Sequence, residues 1–436
     1  TFTDKLGRTV LNKTQKDVAA YVSTYYVYDD FGRLIHTLPP KAVTTLGGGA
    51  TLDVSAASIA ELIFTYVYDK FGRLVEEKVP GQDAFYIIYD QLDRPVLTQD
   101  ANQRQNNQWL FTKYDEYGRV AYSGVHTYAT LTTRALMQQE LDSKDYDNGD
   151  HYYEKTEVNA QYHGYSNRCF PTTNTEALSV AYYDSYDFDR NGTDDYSYDA
   201  THLGGQAASP YLRVKGLITG GKVRVLGTNN WHESVAFYDN EYRVIQTLAD
   251  HHLGGTQKTT MIYNFIGEVL QTKTTQTVSG HNDVIALYRF VYDHAGRPTE
   301  LYHTLNSESE VQLARYDYNA LGQLKTKALH STSASTDFLQ TVDLAYNIRG
   351  WLTTINDPDN MTADKLFGLE LIYNETLGAL GQSAAYNGNI TAQKWKTNLT
   401  AADEVHAYGF TYDPMDRLTQ ASYREGAGFS ANSGHY

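Results

Sequence analysis

Along most of the chain, aromatic and β-branched residues alternate with polar ones in short runs, and turn residues punctuate them. In Phe64-Thr65-Tyr66-Val67-Tyr68 the aromatics fall on every second position. Side chains alternate across a strand, so Phe64, Tyr66 and Tyr68 share one face. Asp69-Lys70-Phe71-Gly72 follows, and Arg73 to Val79 again mixes β-formers with charges. Asp at the first turn position accepts from backbone N–H groups ahead of it, and Gly at the fourth tolerates positive φ. The segment therefore predicts a β-hairpin closed by a type I turn with a G1 bulge.

The same Tyr-Asp-x-x-Gly-Arg unit recurs. Copies start at Tyr28, Tyr68, Tyr89, Tyr114, Tyr238, Tyr263, Tyr292, Tyr318, Tyr346 and Tyr412, and adjacent starts are often 21 to 29 residues apart. That period signals an array of one supersecondary element, not a single compact enzyme domain. Seven copies carry the glycine; Asp93, Tyr242 and Asp416 replace it in the others. Tyr is poor in the left-handed region, so the turn at Tyr242 is expected to differ. Where Asp is replaced, Asn264, Asn319 and Asn347 keep a side-chain acceptor. The expected turn-forming set includes Asp29, Gly32 and Arg33; Asp69, Gly72 and Arg73; Asp115, Gly118 and Arg119; and Asp293, Gly296 and Arg297. Each Arg is expected to stack on or bond to a neighbouring repeat, because a guanidinium packs on Tyr while donating to carboxylates and carbonyls.

Three regions follow: a first repeat block over 1–130, an interrupting segment over 131–230, and a second block over 231–436. In the interruption, Leu131 to Ser143 predicts a short helix with an apolar stripe of Leu131, Ala135, Leu136 and Leu141. Tyr182 to Tyr198 is rich in Tyr and Asp but lacks the turn motif, and Lys222 to Leu226 reads as a strand. Lys41 to Ile59, rich in Gly, Ala, Ser and Thr, is a smaller insertion, and Tyr386-Asn387-Gly388-Asn389-Ile390 reads as a shortened repeat. Isolated hairpins are not stable in water, so a long series must pair edge to edge, and a sheet that wide curls or closes. The expected fold is all-β, a long spiralling sheet of hairpins closing into a hollow body.

Composition changes the picture in two ways. The 38 Tyr against 15 Phe and 4 Trp suit a large sheet wet on both sides, where an apolar ring and a bonded hydroxyl are both useful. A sugar- or base-stacking role for the Tyr set is the competing reading. The net charge of −16 argues against nucleic acid and anionic membrane surfaces as partners. No apolar run reaches the length of a membrane span. Cys169 is the only cysteine, so no intrachain disulfide staples the fold, and a buried structural thiol is expected.

The chemical motifs are weak beside the repeat. Asp187, Asp189 and Asn191 at alternate positions, followed by Gly192, match the start of a Ca²⁺ loop. The twelfth position is Tyr198 where Glu would stand, and Asp199 comes one residue late, so an acidic surface loop is the alternative. Gly216 to Val223 nearly matches a phosphate-binding loop, but Val223 stands where a hydroxyl should hold Mg²⁺ and a strand follows, so a hairpin is expected. No His-Glu-x-x-His or Gly-x-Ser-x-Gly motif occurs, and His251-His252 are expected on opposite faces of a strand. An enzyme is therefore not expected, and no cofactor beyond the candidate Ca²⁺.

With these motifs laid out, the chain resembles the RHS/YD-repeat family, whose defining unit is the Tyr-Asp-x-x-Gly-Arg-Leu pattern. The resemblance covers nearly the whole length. Val225 to Trp231, Tyr346 to Leu352, Tyr386 to Ile390 and Tyr408 to Leu418 look like the large secreted forms of some Gram-negative bacteria. The resemblance implies a spiral sheet closed into a shell that in many members encapsulates a C-terminal toxic polypeptide during export. It therefore implies a secreted or surface location, with its own C-terminal cargo and the bacterial secretion machinery as partners. A surface adhesin or glycan-binding array is the alternative. The Asp-Pro-x-Gly motif at which many members release cargo is absent: Asp357-Pro358 continues to Asp359-Asn360 and Asp413-Pro414 to Met415-Asp416. No self-cleavage is expected within the segment, which reads as part of a longer array whose core and cargo would lie beyond Tyr436.

Overall fold

The computed structural model describes residues 1–17, 20–47, 57–128, 133–146, 148–149, 151–158, 160, 162–331, 337–380, 382–399 and 404–429. Leu131 of the expected helix, the middle of the Lys41–Ile59 insertion and the C-terminal Gly434 to Tyr436 lie outside them. The chain is all-β; among the described residues there are 26 strands and few, short helices. It forms two compact units: Thr1–Tyr198 with Tyr211–Tyr242, and Asp199–Pro210 with Arg243–Tyr436.

Within each unit the strands form an antiparallel meander in which each pairs with its neighbour in sequence. In the first unit, Phe64–Tyr68 pairs with Leu74–Lys78, which pairs with Phe85–Tyr89, then Pro95–Gln99, Gln108–Tyr114 and Val120–Thr127. In the second, Gly255–Tyr263, Val269–Val278, Val284–Tyr292 and Pro298–Leu305 continue in the same manner. The register shifts by one residue beside nine of the ten motif tyrosines, as between Val67 and Tyr68 and between Val291 and Tyr292. This is the bulge that a type I turn followed by a left-handed residue produces.

The turn glycines take positive φ: +82° at Gly32, +85° at Gly72, +76° at Gly118 and +76° at Gly296. Tyr242 corrects the expectation that its turn differs. It holds φ +62°, and its N–H donates to the Asp239 carbonyl at 3.1 Å, as Gly72 N–H does to Asp69 at 3.0 Å. Asp93 and Asp416 hold +61° and +60°. The turn is fixed by its bonding pattern, and the left-handed cost of one non-glycine residue does not displace it.

Insertions enter at hairpin ends and leave the ladder intact. The 131–230 segment contributes the strands Thr175–Tyr183 and Ile218–Arg224, which pair with each other and with the flanking strands Val120–Thr127 and Trp231–Tyr238. Residues between Asp184 and Leu217 stand where a four-residue turn would be; Asp184 N–H still donates to the Leu217 carbonyl at 3.1 Å, as Asp69 does to Arg73. The expected phosphate-loop look-alike is part of the Ile218–Arg224 strand, and Gly220 leaves room for the Phe188 ring, which a Cβ would meet at 2.3 Å. Residues between Tyr373 and Ile390 form a second expanded turn. Tyr386, expected in a shortened repeat, lies exposed within it.

The insertions also decide where a dry core forms. Over the first unit they cover one sheet face and bury Trp109, Phe111, Tyr122, Tyr165 and Phe237 to 2% exposure or less. The helix Arg134–Asp142 contributes to this cover through Met137 and Leu141, one turn apart on one side. Leu136 and Ala135, expected in its apolar stripe, face outward. A smaller cluster of Leu38, Ala42, Ile59 and Ile63 sits under Pro40–Thr45. In the second unit Val269–Val278 is half-buried along almost its whole length, and a small buried cluster of Ile372, Leu380, Ala392 and Ala407 lies farther along the chain.

Gly72 has no close neighbour that a Cβ would strike, the nearest being the Arg33 guanidinium at 3.7 Å, so its constraint is conformational. Gly72→Val should cost about 1–3 kcal/mol through forced positive φ at a β-branched residue. Gly72→Asp should cost clearly less, since Asp93 and Asp416 hold the same conformation. Chemical denaturation of the two variants checks the order; equal stability of Gly72→Val and the parent would refute the turn assignment.

Candidate functional site

The repeated turn is the chemically richest feature of the molecule. At Asp29, Asp69, Asp115 and Asp293, Oδ1 accepts the N–H groups two and four residues on at 2.8–3.0 Å. Oδ2 accepts Nε of Arg33, Arg73, Arg119 and Arg297 at 2.6–2.7 Å. At Asn264 and Asn319 the polarity of the pair reverses, while after Asn347 the arginine position is Trp351. Asn264 Nδ2 donates to Glu268 Oε2 at 2.5 Å and Asn319 Nδ2 to Gln323 Oε1 at 2.8 Å, so an acceptor stands where Arg would. That paired exchange is visible in the sequence once the geometry is known.

Each turn is also tied to the next hairpin. Arg33, Arg73, Arg94 and Arg119 lie over the rings of Tyr68, Tyr89, Tyr114 and Tyr183, with guanidinium carbons 4.2–4.9 Å from the ring centroids. In the second unit Arg243 and Arg297 lie over Tyr263 and Tyr318. The tyrosine then donates back: Tyr68 Oη to Leu34 O at 3.0 Å, Tyr114 to Pro95 O at 2.8 Å, Tyr183 to Val120 O at 3.0 Å, Tyr292 to Val269 O at 2.9 Å and Tyr318 to Pro298 O at 2.9 Å. The acceptor is always the residue just after the preceding turn. Tyr183 and Tyr373, which lack the turn motif, occupy the same rung; Tyr373 Oη donates to Leu352 O at 2.9 Å. Sequence reasoning missed both, and the Tyr-Asp and Tyr-Asn dipeptides were their only local signal.

A second constellation lies under the 128–174 insertion. Lys113 and Glu154 are both fully buried and pair at 3.0 Å. Glu154 also accepts from Ser166 Oγ at 2.6 Å, from Arg168 N and Cys169 N at 3.0 Å each, and from Tyr122 Oη at 3.2 Å. Lys113 Nζ donates to Asn167 Oδ1 at 2.5 Å. Every partner of the carboxylate is thereby used, which is the condition for keeping a charge pair out of water. Burial pushes the Lys113 ammonium down from its ordinary value. Burial also pushes the Cys169 thiol up, which keeps it protonated; it is the buried thiol the sequence led one to expect.

The acidic run forms a tight loop. Carboxylates of Asp187, Asp189 and Asp195 bring oxygens within 4.8 Å of one another; Asp195 was not among the sequence candidates. Asp187 accepts Gly192 N–H at 2.9 Å and Asn191 N–H at 3.1 Å, and Asp189 accepts Asn191 Nδ2 at 3.0 Å. Asn191 Oδ1 is taken by Thr193 N–H at 2.8 Å. Burial, with the charges of Asp189 and Asp187, raises the Asp195 carboxyl above its ordinary value. His251 and His252, expected on opposite strand faces, instead sit in a turn with ring centroids 4.6 Å apart.

An open groove of about 880 Å³ runs along the turn ends beside the helix Arg134–Asp142, lined in part by Asp69, Arg73, Asp90, Asp93, Arg134 and Asp142. Asp69 and Asp90 there are held by Arg73 and Arg94 in their own turns. Among the described residues no helix is long and apolar enough to cross a membrane.

No family model and no curated protein matches the chain. Solved structures of toxin complexes match it over nearly its whole length. TcdB2-TccC3 without its hypervariable C-terminal region is 14% identical with a TM-score of 0.42, covering 98% of this chain and 19% of that one. The Tc holotoxin pore of Photorhabdus luminescens is 14% identical with a TM-score of 0.41, covering 98% and 18%. TcdB2-TccC3-Cdc42 is 14% identical with a TM-score of 0.42, covering 97% and 19%. The chain thus spans about a fifth of the length of these solved chains.

Two measurements test the turn and loop chemistry. The Asp293 carboxyl is pushed down to about 2 by the Arg297 guanidinium and backbone N–H groups, and Asp4, Asp29, Asp69 and Asp413 are lowered in the same direction. A depressed carboxylate stabilises the fold above its unfolded value of 3.8 and ceases to as pH falls through the folded value. The melting temperature should therefore hold near neutrality and fall between pH 4 and 2; a flat profile there would contradict the turn ion pairs. At the acidic loop, a cation site predicts that Ca²⁺ raises the melting temperature and that Asp195→Asn abolishes the rise. Absence of any Ca²⁺ response, with Asp195→Asn more stable at neutral pH, identifies a loop braced by its own backbone bonds.

Proposed function

We propose that this chain is wall: a segment of a non-enzymatic RHS/YD-repeat shell, secreted or surface-borne in a Gram-negative bacterium, that encloses and carries a C-terminal polypeptide such as a toxin. The observation that carries the reading is the use made of the tyrosines. Every motif tyrosine is half-buried, and most place their hydroxyl on the carbonyl just after the preceding turn, five of them, Tyr28, Tyr68, Tyr114, Tyr263 and Tyr318, also under a stacked arginine. Tyrosines committed to joining hairpins build a continuous wall and leave few rings free to stack on a sugar. The half-wet sheet of the second unit suits a wall with aqueous space on both sides. The proposal needs no cofactor; of the groove carboxylates, Asp69, Asp90 and Asp93 are engaged in structural ion pairs and Asp142 accepts from Gln138 Nε2.

The turn tips favour a second reading. Phe31, Phe71 and Leu321 sit there at 85%, 68% and 82% exposure. Exposed aromatic tips at repeating intervals are a feature an adhesive or glycan-binding array would use.

Electron cryomicroscopy of the full-length protein separates the two. A closed wall around protein density that limited proteolysis cannot reach is the expected result. An open array with a solvent-exposed, readily digested C-terminal region would overturn the shell and support the adhesin.

A further inference from the structure

The Lys113–Glu154–Asn167 cluster holds more chemistry than an ion pair requires. Lys113 Nζ lies between a carboxylate, Glu154 Oε1 at 3.0 Å, and a carboxamide oxygen, Asn167 Oδ1 at 2.5 Å. The Lys113 and Glu154 side chains have no solvent exposure. The Phe111 and Tyr122 ring centroids stand 5.8 and 5.2 Å from Nζ. In such surroundings burial favours passing a proton to give a neutral amine and a neutral acid, against the pull of Ser166 Oγ and the Arg168 N–H, which with Lys113 hold the Glu154 carboxyl below its ordinary value. Burial already pulls the Lys113 ammonium down. The result is an amine beside a carboxamide whose oxygen it already touches, with its partners fixed by the fold, which is the condition under which an intramolecular reaction gains most.

The remaining groups fit that step. Asn167 Nδ2 donates to Thr172 O at 3.0 Å through an exposed hydrogen bond, which turns the carbonyl towards Lys113 and the amino group outward. Tyr122 Oη lies 3.4 Å from Asn167 Oδ1, in place to support negative charge developing on that oxygen. Ser166 Oγ and the N–H groups of Arg168 and Cys169 hold the Glu154 carboxylate in position.

We propose that Lys113 and Asn167 join in an intramolecular amide bond that forms once the chain has folded, with Glu154 as the proton carrier. Glu154 takes a proton from Nζ, the amine attacks Asn167 Cγ, and the Cγ–Nδ2 bond breaks as the Nζ–Cγ bond forms. Lys113 gives up two of its three ammonium protons by way of Glu154, and both leave with Nδ2 as ammonium. Glu154 ends as the carboxylate it began as. No oxidant, reductant or cofactor enters. The bond would tie the insertion covalently to the strand Gln108–Tyr114, in a chain whose single cysteine offers no disulfide.

The mass of the purified full chain tests this directly. The expected result is a wild-type mass below the sequence mass by one ammonia, and a digest containing one branched peptide that joins the Lys113 and Asn167 fragments. Succinimide formation at Asn191-Gly192 loses the same mass but leaves linear peptides, so the branched peptide decides. Asn167→Ala and Lys113→Arg should show their full sequence masses and melt at lower temperature. Glu154→Gln should retain β-sheet circular dichroism with the bond unformed or forming far more slowly. A wild-type chain at full mass, with Lys113 recovered in a linear peptide, would overturn the proposal whether or not the variants fold.

Discussion

One contact holds the array together: a tyrosine whose ring lies under the arginine of the preceding turn and whose hydroxyl reaches the carbonyl just beyond that turn. Strand pairing alone would join the hairpins, but an antiparallel ladder is indifferent to a slip of two residues. The tyrosine contact is not, because its donor and acceptor sit at fixed places relative to two successive turns. The aspartate completes it by fixing the arginine, with Oδ2 on Nε, so the guanidinium face is presented at the height of the next ring. A hydroxyl–carbonyl bond is worth about 0.5–1.5 kcal/mol and an exposed cation–π contact about 0.5–1 kcal/mol. Either is small alone; repetition along the chain makes them a mechanism for register.

This constraint explains where the chain tolerates extra residues. At Tyr183 and Tyr373 the tyrosine rung survives, and at Tyr183 the first backbone bond of the turn region as well, while the turn itself is replaced by a long excursion. Loop closure costs rise only slowly with length, so an expanded turn is cheap as long as the two strand ends meet correctly. The excursions then do what the sheet cannot do alone. Residues 184–198 send Phe188 onto Gly220 and Tyr186 against Phe237, with ring centroids 4.9 Å apart. In the second unit, Asp199–Pro210 docks on the sheet through polar contacts. His202 bonds Thr260 and Thr275 at 2.8 Å each, and Asp199 pairs with Lys258 at 2.7 Å. Burial pushes His202 down to about 4, so it is neutral near neutral pH and forms these bonds uncharged.

Each unit therefore uses the same kind of ladder, with a different degree of cover. The first has a dry aromatic core and a buried Lys113–Glu154 pair beneath its insertion. The second keeps a sheet of Thr, Gln and Tyr, half-exposed and bonded across its strands, as at Thr259 and Thr274, 3.1 Å apart. That composition explains why tyrosine outnumbers the other aromatics: on a sheet wet on both sides, a phenylalanine at the rung position would leave a carbonyl without its donor.

The turn, the hairpin, the all-β class and the serial arrangement were legible in the residues, because Asp69, Gly72 and Arg73 act on one another within five positions and their chemistry admits few backbone paths. The left-handed Tyr242 was not, since the bonding frame that overrides its intrinsic preference is a property of the assembled ladder. Nor were the rungs at Tyr183 and Tyr373, nor the outward turn of Leu136, nor the entry of Asp195 into the acidic loop. The Lys113 cluster is the extreme case: its partners lie 41 and 54 residues away along the chain. Residues that far apart carry no mutual signal in one sequence. Only the folding of the insertion over the sheet brought them within reach and removed the water between them.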